Sequence, residues 1–147
     1  MRLIACFTIG FTLAVLFVMA AEAAPGTYVK DGDTIVVRGE TVRVKGIDTP
    51  EIQHEPCFVG VIFCGWYPEK CAYEARDFTL RLLAKGHPRL IRLGKDRYGR
   101  TLAYVEVAGR DLGLSLLRAG LAKVMDFRGE RHPRRARYAR AERRIAC

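Results

Sequence analysis

Internal repeats, low-complexity linkers and composition shifts are all absent from this chain. Their absence excludes a solenoid and a second domain on a flexible tether. The five cysteines never fall two to four residues apart, the spacing of paired zinc ligands; Cys57, Cys64 and Cys71 are separated by six-residue gaps. Histidine is scarce, and His54, His87 and His132 form no ligand pattern, so each is read as a surface residue. Acidic charge is also short, with 16 Asp and Glu against 25 Lys and Arg and a net charge of +9. That balance points toward anionic partners, either nucleic acid or a cell surface. Long apolar runs are missing everywhere but the N-terminus.

There, Arg2 precedes an apolar run from Leu3 to Ala21 that ends in Ala21-Glu22-Ala23. A basic start, an apolar core and a small-x-small site describe a secretory signal peptide cleaved after Ala23; an uncleaved membrane anchor is the competing reading. Cleavage leaves residues 24–147 as one domain. It removes one basic and one acidic residue, Arg2 and Glu22, so the net charge stays at +9. The product is expected in the periplasm or outside the cell, as a monomer without an obligate protein partner or stable membrane association. Export makes disulfides the default for Cys57, Cys64, Cys71 and Cys147. Three pairings are possible; the favoured one joins Cys57 to Cys64 and Cys71 to Cys147.

The remaining pattern is mainly β. A strand at 28–30 leads into the Asp31-Gly32 turn, followed by β-branched runs at 34–37 and 41–47 joined through Arg38-Gly39-Glu40. Residues 52–70 show no helical period and read as a loop. Ala72, Ala75, Phe78 and Leu82 recur at helical spacing, predicting a helix over 71–85 that stops at Gly86. Strands follow at 89–93, half-buried by its alternation, and at 101–107. Asp111 is the expected N-cap of a helix over 112–119, and Pro133 opens a basic helix reaching about residue 145. The fold class expected is α+β, mainly β: a five-stranded Greek-key barrel of the oligonucleotide-binding kind with about three helices.

One stretch, "DGDTIVVRGETVRVKGIDTPE" at 31–51, gathers acids at one end of a hairpin. If the hairpin turns near Gly39, Asp33 lies opposite Gly46 or Ile47, one or two residues from Asp48. Two converging carboxylates raise one another's pKa unless a cation lies between them, and a hard divalent ion prefers such oxygen donors. Alternatively, Asp31 and Asp33 build an Asx-type turn while Asp48 caps a loop before Pro50. A one-residue slip would move Arg43 to the other face, so the hairpin alone does not decide.

"DGDT", then "RVKGIDTPE", "KDRYGRTLAYV" and "LLRAGLAKV", in this order and spacing, resemble the staphylococcal nuclease (thermonuclease) family from about residue 28 to 124. The resemblance implies an oligonucleotide-binding barrel and a calcium-dependent hydrolase of DNA and RNA. Single-stranded or denatured substrate would be preferred, and cleavage would leave 3′-phosphate ends. It implies that Asp33, Asp48 and the Thr49 carbonyl ligate calcium, and that Glu51 positions or deprotonates the attacking water. Arg43 and Arg100 would bind the scissile phosphate; Arg97 and Tyr98 would contact a terminal phosphate. Asp96 is assigned to the turn before Gly99. The likeness weakens after Lys123, where Asp126 and Arg128 stand in place of two tyrosines that line the family's nucleotide pocket; Phe127 and Tyr138 are the nearby aromatic substitutes. The arginine-rich run at 128–144 reads either as a phosphate clamp or as a solvated helix packed on the barrel. The alternatives to a nuclease are a non-catalytic nucleic-acid-binding barrel and a cationic protein directed at cell envelopes.

Overall fold

The computed structural model describes residues 26–52, 58–59, 62–63, 69–126, 129 and 132–144. Strands β1 (Thr27–Asp31), β2 (Thr34–Val37) and β3 (Glu40–Val44) form an antiparallel meander. Two residues join β2 to β3. Arg38 and Gly39 have φ of 52° and 81°, the signature of a type I′ turn, whose twist matches that of the strands it connects. Val37 therefore pairs with Glu40 and Thr34 with Arg43. This corrects the expected register: the backbone oxygen of Asp33 accepts from the Val44 amide at 2.8 Å, so Asp33 faces Val44 rather than Gly46 or Ile47.

The chain then breaks at Gly46, with φ 86°, before the short β4 (Ile47–Asp48). The region 52–70 holds a two-stranded ladder, β5 (Phe58–Val59) with β6 (Ile62–Phe63), where a loop was expected. Helix α1 (Ala72–Leu83) buries Ala72, Ala75, Thr79, Leu82 and Leu83 and packs on β1. Strand β7 (Arg89–Lys95) pairs antiparallel with β8 (Thr101–Val107), and β8 runs parallel to β3. The mixed sheet thus has the order β1-β2-β3-β8-β7, with β9 (Arg110–Asp111) folded back on β8. Among the described residues no ladder joins β1 to β7. In β7, Leu90 and Ile91 are partly buried against the core, as its alternation suggests, while Leu93 and the arginines are exposed at this end strand.

Helix α2 (Leu112–Arg118) begins as expected, with the Asp111 carboxylate accepting from the Leu114 amide at 3.0 Å. Strand β10 (Lys123–Val124) pairs with β4. Helix α3 (Arg135–Ala141) is shorter than predicted, ending near 142 rather than 145. Its one buried anchor is Tyr138, whose hydroxyl donates to Asp111, and a single anchor holds only about two turns. The core lies between the sheet and the helices: Ile35, Val42, Val44, Ile47, Val105 and Val107 meet Leu112, Leu116, Leu117 and Tyr138. This is an α+β fold, mainly strands, with three helices among the described residues.

Candidate functional site

Three breaks in the sheet bring the candidate residues together: the turn after β1, the Gly46 break between β3 and β4, and the β7–β8 turn. Asp33 lies just before β2 and is buried. Its Oδ1 accepts from Arg43 at 2.6 Å and from the Thr34 hydroxyl at 3.0 Å, and its Oδ2 accepts from the Thr49 amide at 3.0 Å. Burial raises its pKa to about 6, and Asp48 pushes the same way, against Arg43 and the hydrogen bonds that favour the charged form. Asp48, half exposed at the end of β4, accepts from the other arm of Arg43 at 2.5 Å. The two aspartates therefore converge, and the guanidinium of Arg43 bridges them. Burial disfavours the charge on Arg43, but Asp33, Asp48 and Glu51 together hold its pKa above the ordinary value.

Glu51 is exposed on the loop after Pro50. Its backbone amide donates to Glu69 at 3.0 Å, which fixes the loop while leaving the side chain at the rim. From the opposite side, the β7–β8 turn is tied by Asp96: Oδ1 accepts from the Tyr98 and Arg100 amides, and Oδ2 from Arg100 Nε at 2.7 Å. Asp96 thus has the turn role expected of it. Tyr98 is exposed, with Arg97 and Arg100 stacked against its ring at 4.7 and 5.3 Å.

Arg43, Asp48, Glu51, Arg97, Tyr98 and Arg100 line one cavity of about 220 Å³. Asp33 and Thr49 lie buried behind its wall. The cavity pairs acids with arginines in a confined space, which suits a phosphate flanked by a carboxylate. As for a cation, the two aspartates already share one positive group, and the buried Thr49 hydroxyl beside Asp33 has no hydrogen-bond partner. An oxygen-rich, anionic corner with an orphaned oxygen fits a hard divalent ion. Among the described residues no three His, Cys, Asp or Glu side chains cluster, so the aspartate pair would supply the carboxylate donors.

Other positions were not foreseen. Met125 brings its sulfur to 3.9 Å from Arg43 and lines the cavity. His132 is buried, contrary to the surface reading. Its Nδ1 lies 3.0 Å from the Tyr104 hydroxyl, and its ring fills the space where a Gly46 side chain would stand. Nothing in the local sequence signals this, because the histidine is covered by residues distant in the chain. Tyr138 is wholly buried against Asp111 and offers no stacking surface; Asp126 is engaged by Arg135. Phe127 and Arg128 lie outside the described residues, as do His54, Cys57, Cys64 and Cys147. His87 is exposed, as expected.

The family model described as "Staphylococcal nuclease homologue" matches residues 41–145. The chain belongs to this family. The staphylococcal nuclease homologues similar to it include the thermonuclease of Staphylococcus hyicus, 37% identical over 104 residues, which are 67% of this chain and 56% of that protein. The thermonuclease of Staphylococcus intermedius is 36% identical over 100 residues, 64% and 54% of the two chains. A fungal relative, "Probable endonuclease lcl3" of Pyrenophora tritici-repentis, is 32% identical over 89 residues, 58% of this chain and 30% of its own. The chain thus spans about half the length of the thermonucleases it matches. The family match runs from within β3 through α3 and takes in every residue that lines the cavity.

Proposed function

We propose that this chain is a nuclease that hydrolyses phosphodiester bonds in DNA and RNA with little sugar or sequence preference, single-stranded or denatured strands being favoured. The observation that carries the proposal is the convergence of Arg43, Asp48, Glu51 and Arg100 on one cavity, in a family whose relatives include named thermonucleases and endonucleases. Asp33 and Asp48, with the Thr49 carbonyl, would hold a divalent ion, which we propose is calcium. Bound there, the ion would offset phosphate charge and help hold the reacting groups in line.

The chain's own groups divide the remaining work. Arg43 and Arg100 both line the cavity and would present fixed donors to non-bridging phosphate oxygens, where charge grows as phosphorus becomes five-coordinate. Arg43 is held between two carboxylates, so its fork is oriented before substrate arrives. Asp96 does the same for Arg100 through Nε, and among the described residues no acceptor engages its terminal nitrogens, which would serve phosphate. Glu51, exposed at the rim, takes the proton of a water attacking phosphorus. Arg97 and Tyr98 form an exposed ledge for a flanking phosphate. We also propose that residues 1–23 are an export signal, that the mature protein acts as a monomer in the periplasm or outside the cell, and that its cysteines form disulfides, Cys57 with Cys64 and Cys71, which is buried at the start of α1, with Cys147.

The test is release of acid-soluble nucleotides from denatured DNA and from RNA, with calcium and then with chelator. Cleavage of both in calcium, abolished by chelator, is expected. Binding without cleavage would mean a non-catalytic nucleic-acid-binding barrel, and cleavage surviving chelation would remove the metal role from the aspartates.

A further inference from the structure

Away from the cavity, the face formed by α2 and α3 carries positive charge that the proposed chemistry does not use. Seven arginines are matched by acids: Arg43, Arg76, Arg89, Arg92, Arg100, Arg134 and Arg135 each pair with a carboxylate. On this face Arg118, Arg137, Arg140 and Arg143 are exposed and line one shallow groove. Among the described residues none of the four has an ion pair or side-chain hydrogen bond. A second groove shares Arg118 and Arg137 and adds Arg110, so the basic surface is continuous. The acids beside it are engaged. Asp111 accepts from Arg134 and Tyr138, and Glu142 accepts from the Val124 amide at 2.8 Å.

Helix polarity accounts for part of this. Arg118 and Arg140 stand in the last turns of α2 and α3, where carbonyl ends favour cations. It does not account for Arg110, Arg137 and Arg143. Nor is the surface a loose tail. Tyr138 is buried, and the Arg143 amide donates to the Leu117 carbonyl at 3.2 Å, clamping the end of α3 to α2. Arg137 and Arg140, three apart on α3, project to one side. The groove also adjoins the site. Glu142 on its wall holds Val124 of β10, and the neighbouring exposed Lys123 pairs across to Asp48 at the cavity's edge.

We infer that this groove is a second contact surface for nucleic acid, gripping the phosphate backbone of a strand whose reacting portion lies in the cavity. The inference rests on the proposal that nucleic acid is the substrate. Arginine suits it, since its planar fork pairs with two phosphate oxygens at once. The lining has no aromatic ring except Phe78 in the adjoining groove, so the grip is sequence-blind and comes from charge rather than base stacking. Long strands are held better than short ones, and salt weakens the difference.

The experiment compares the full chain with the variant R118Q/R137Q/R140Q/R143Q, and with R137Q/R140Q as a milder second change. Binding of a long labelled single-stranded oligonucleotide is followed by fluorescence anisotropy in chelator, where no cleavage is proposed, across a salt series. The fourfold variant should bind roughly tenfold or more weakly, and its slope of log affinity against log salt should flatten by about 0.7 for each phosphate it no longer neutralises. Cleavage of a dinucleotide in calcium should keep its wild-type kcat/KM, which also shows that the variant is folded. Wild-type affinity and slope in both variants would overturn the inference. So would loss of binding to phosphatidylglycerol vesicles with oligonucleotide binding unchanged, which would assign the face to an anionic membrane instead. If the wild type binds but never cleaves the dinucleotide, and the variants bind weakly, the groove stands and the hydrolytic proposal falls.

Discussion

Arg43 organises the site, because one guanidinium serves two carboxylates in opposite surroundings. Asp33 is buried, with its pKa raised to about 6, whereas Asp48 is half exposed. Each aspartate receives its own nitrogen of the planar fork, at 2.6 and 2.5 Å, whereas a lysine would have to serve both from one ammonium nitrogen. Motif spacing made the types and order of these residues legible in the sequence, but not the bridge. That depended on a register set by Arg38 and Gly39, and an Arg-Gly pair is a weaker sign of a two-residue turn than Asn-Gly. Glu51 differs from its neighbours. Among the described residues its carboxylate makes no hydrogen bond or salt bridge, and only its backbone is engaged, by Glu69. Glu51→Gln should therefore leave folding and oligonucleotide binding almost unchanged while lowering kcat by about 10²–10⁴-fold, the usual worth of a positioned general base. Steady-state kinetics on denatured DNA checks this, and wild-type turnover would exclude the residue from the chemistry.

Among the elements, the best-predicted ones carried their own signals: apolar spacing in α1, the Asp111 cap of α2, and the β-branched and apolar residues of β8. The less well predicted ones are defined by what covers them. Strand β7 is partly buried at Leu90 and Ile91 but exposed at Leu93 at the sheet's end, and α3 is fixed by a single tyrosine rather than by an apolar stripe. Asp111 joins these pieces. Its carboxylate caps α2, accepts from the Tyr138 hydroxyl of α3 at 2.9 Å, and pairs with Arg134 at 2.6 Å. Arg134 in turn stacks over Tyr104 at 4.1 Å and reaches Glu106. Asp111→Ala removes the cap and leaves a half-buried guanidinium without one of its two acids. The expected loss is about 3–5 kcal/mol in urea unfolding, the range for breaking a buried pair. Asp111→Asn keeps an acceptor for the Leu114 amide and should recover about 1 kcal/mol of it, the typical worth of a cap. Equal losses in the two variants would mean that the cap contributes nothing beyond the charge.

For the molecule as a whole, Asp33 lies buried behind the cavity, Arg118, Arg137, Arg140 and Arg143 on the α2–α3 face have no acid partner among the described residues, and His132 is buried. His132 meets the Tyr104 hydroxyl through Nδ1, packs edge-on against Tyr138 at 5.3 Å between centroids, and leaves Nε2 unpartnered beneath Gly46. Burial lowers its pKa; Asp126 works against that, while Lys45, Arg135 and Arg134 add to it. The sign follows from linkage. The unfolded chain binds a proton near the ordinary value of 6.5 and the folded one only at lower pH, so stability is full above 6.5 and is lost as pH falls through the folded value. Asp33 acts in the opposite direction. Its pKa is raised from 3.8 to about 6, so its contribution is greatest below 3.8 and disappears as pH rises past 6. The two trends partly cancel in wild type, and a single pH curve would hide both. His132→Asn retains a group at the Nδ1 position for Tyr104 but has no proton to gain. Urea midpoints measured in chelator from about pH 7.5 to about pH 5 should therefore fall more steeply in wild type than in the variant, with the gap opening only below 6.5. Parallel curves would mean that His132 titrates alike in both states. In that case burial beneath the Gly46 break would not be what ties the cavity floor to acid.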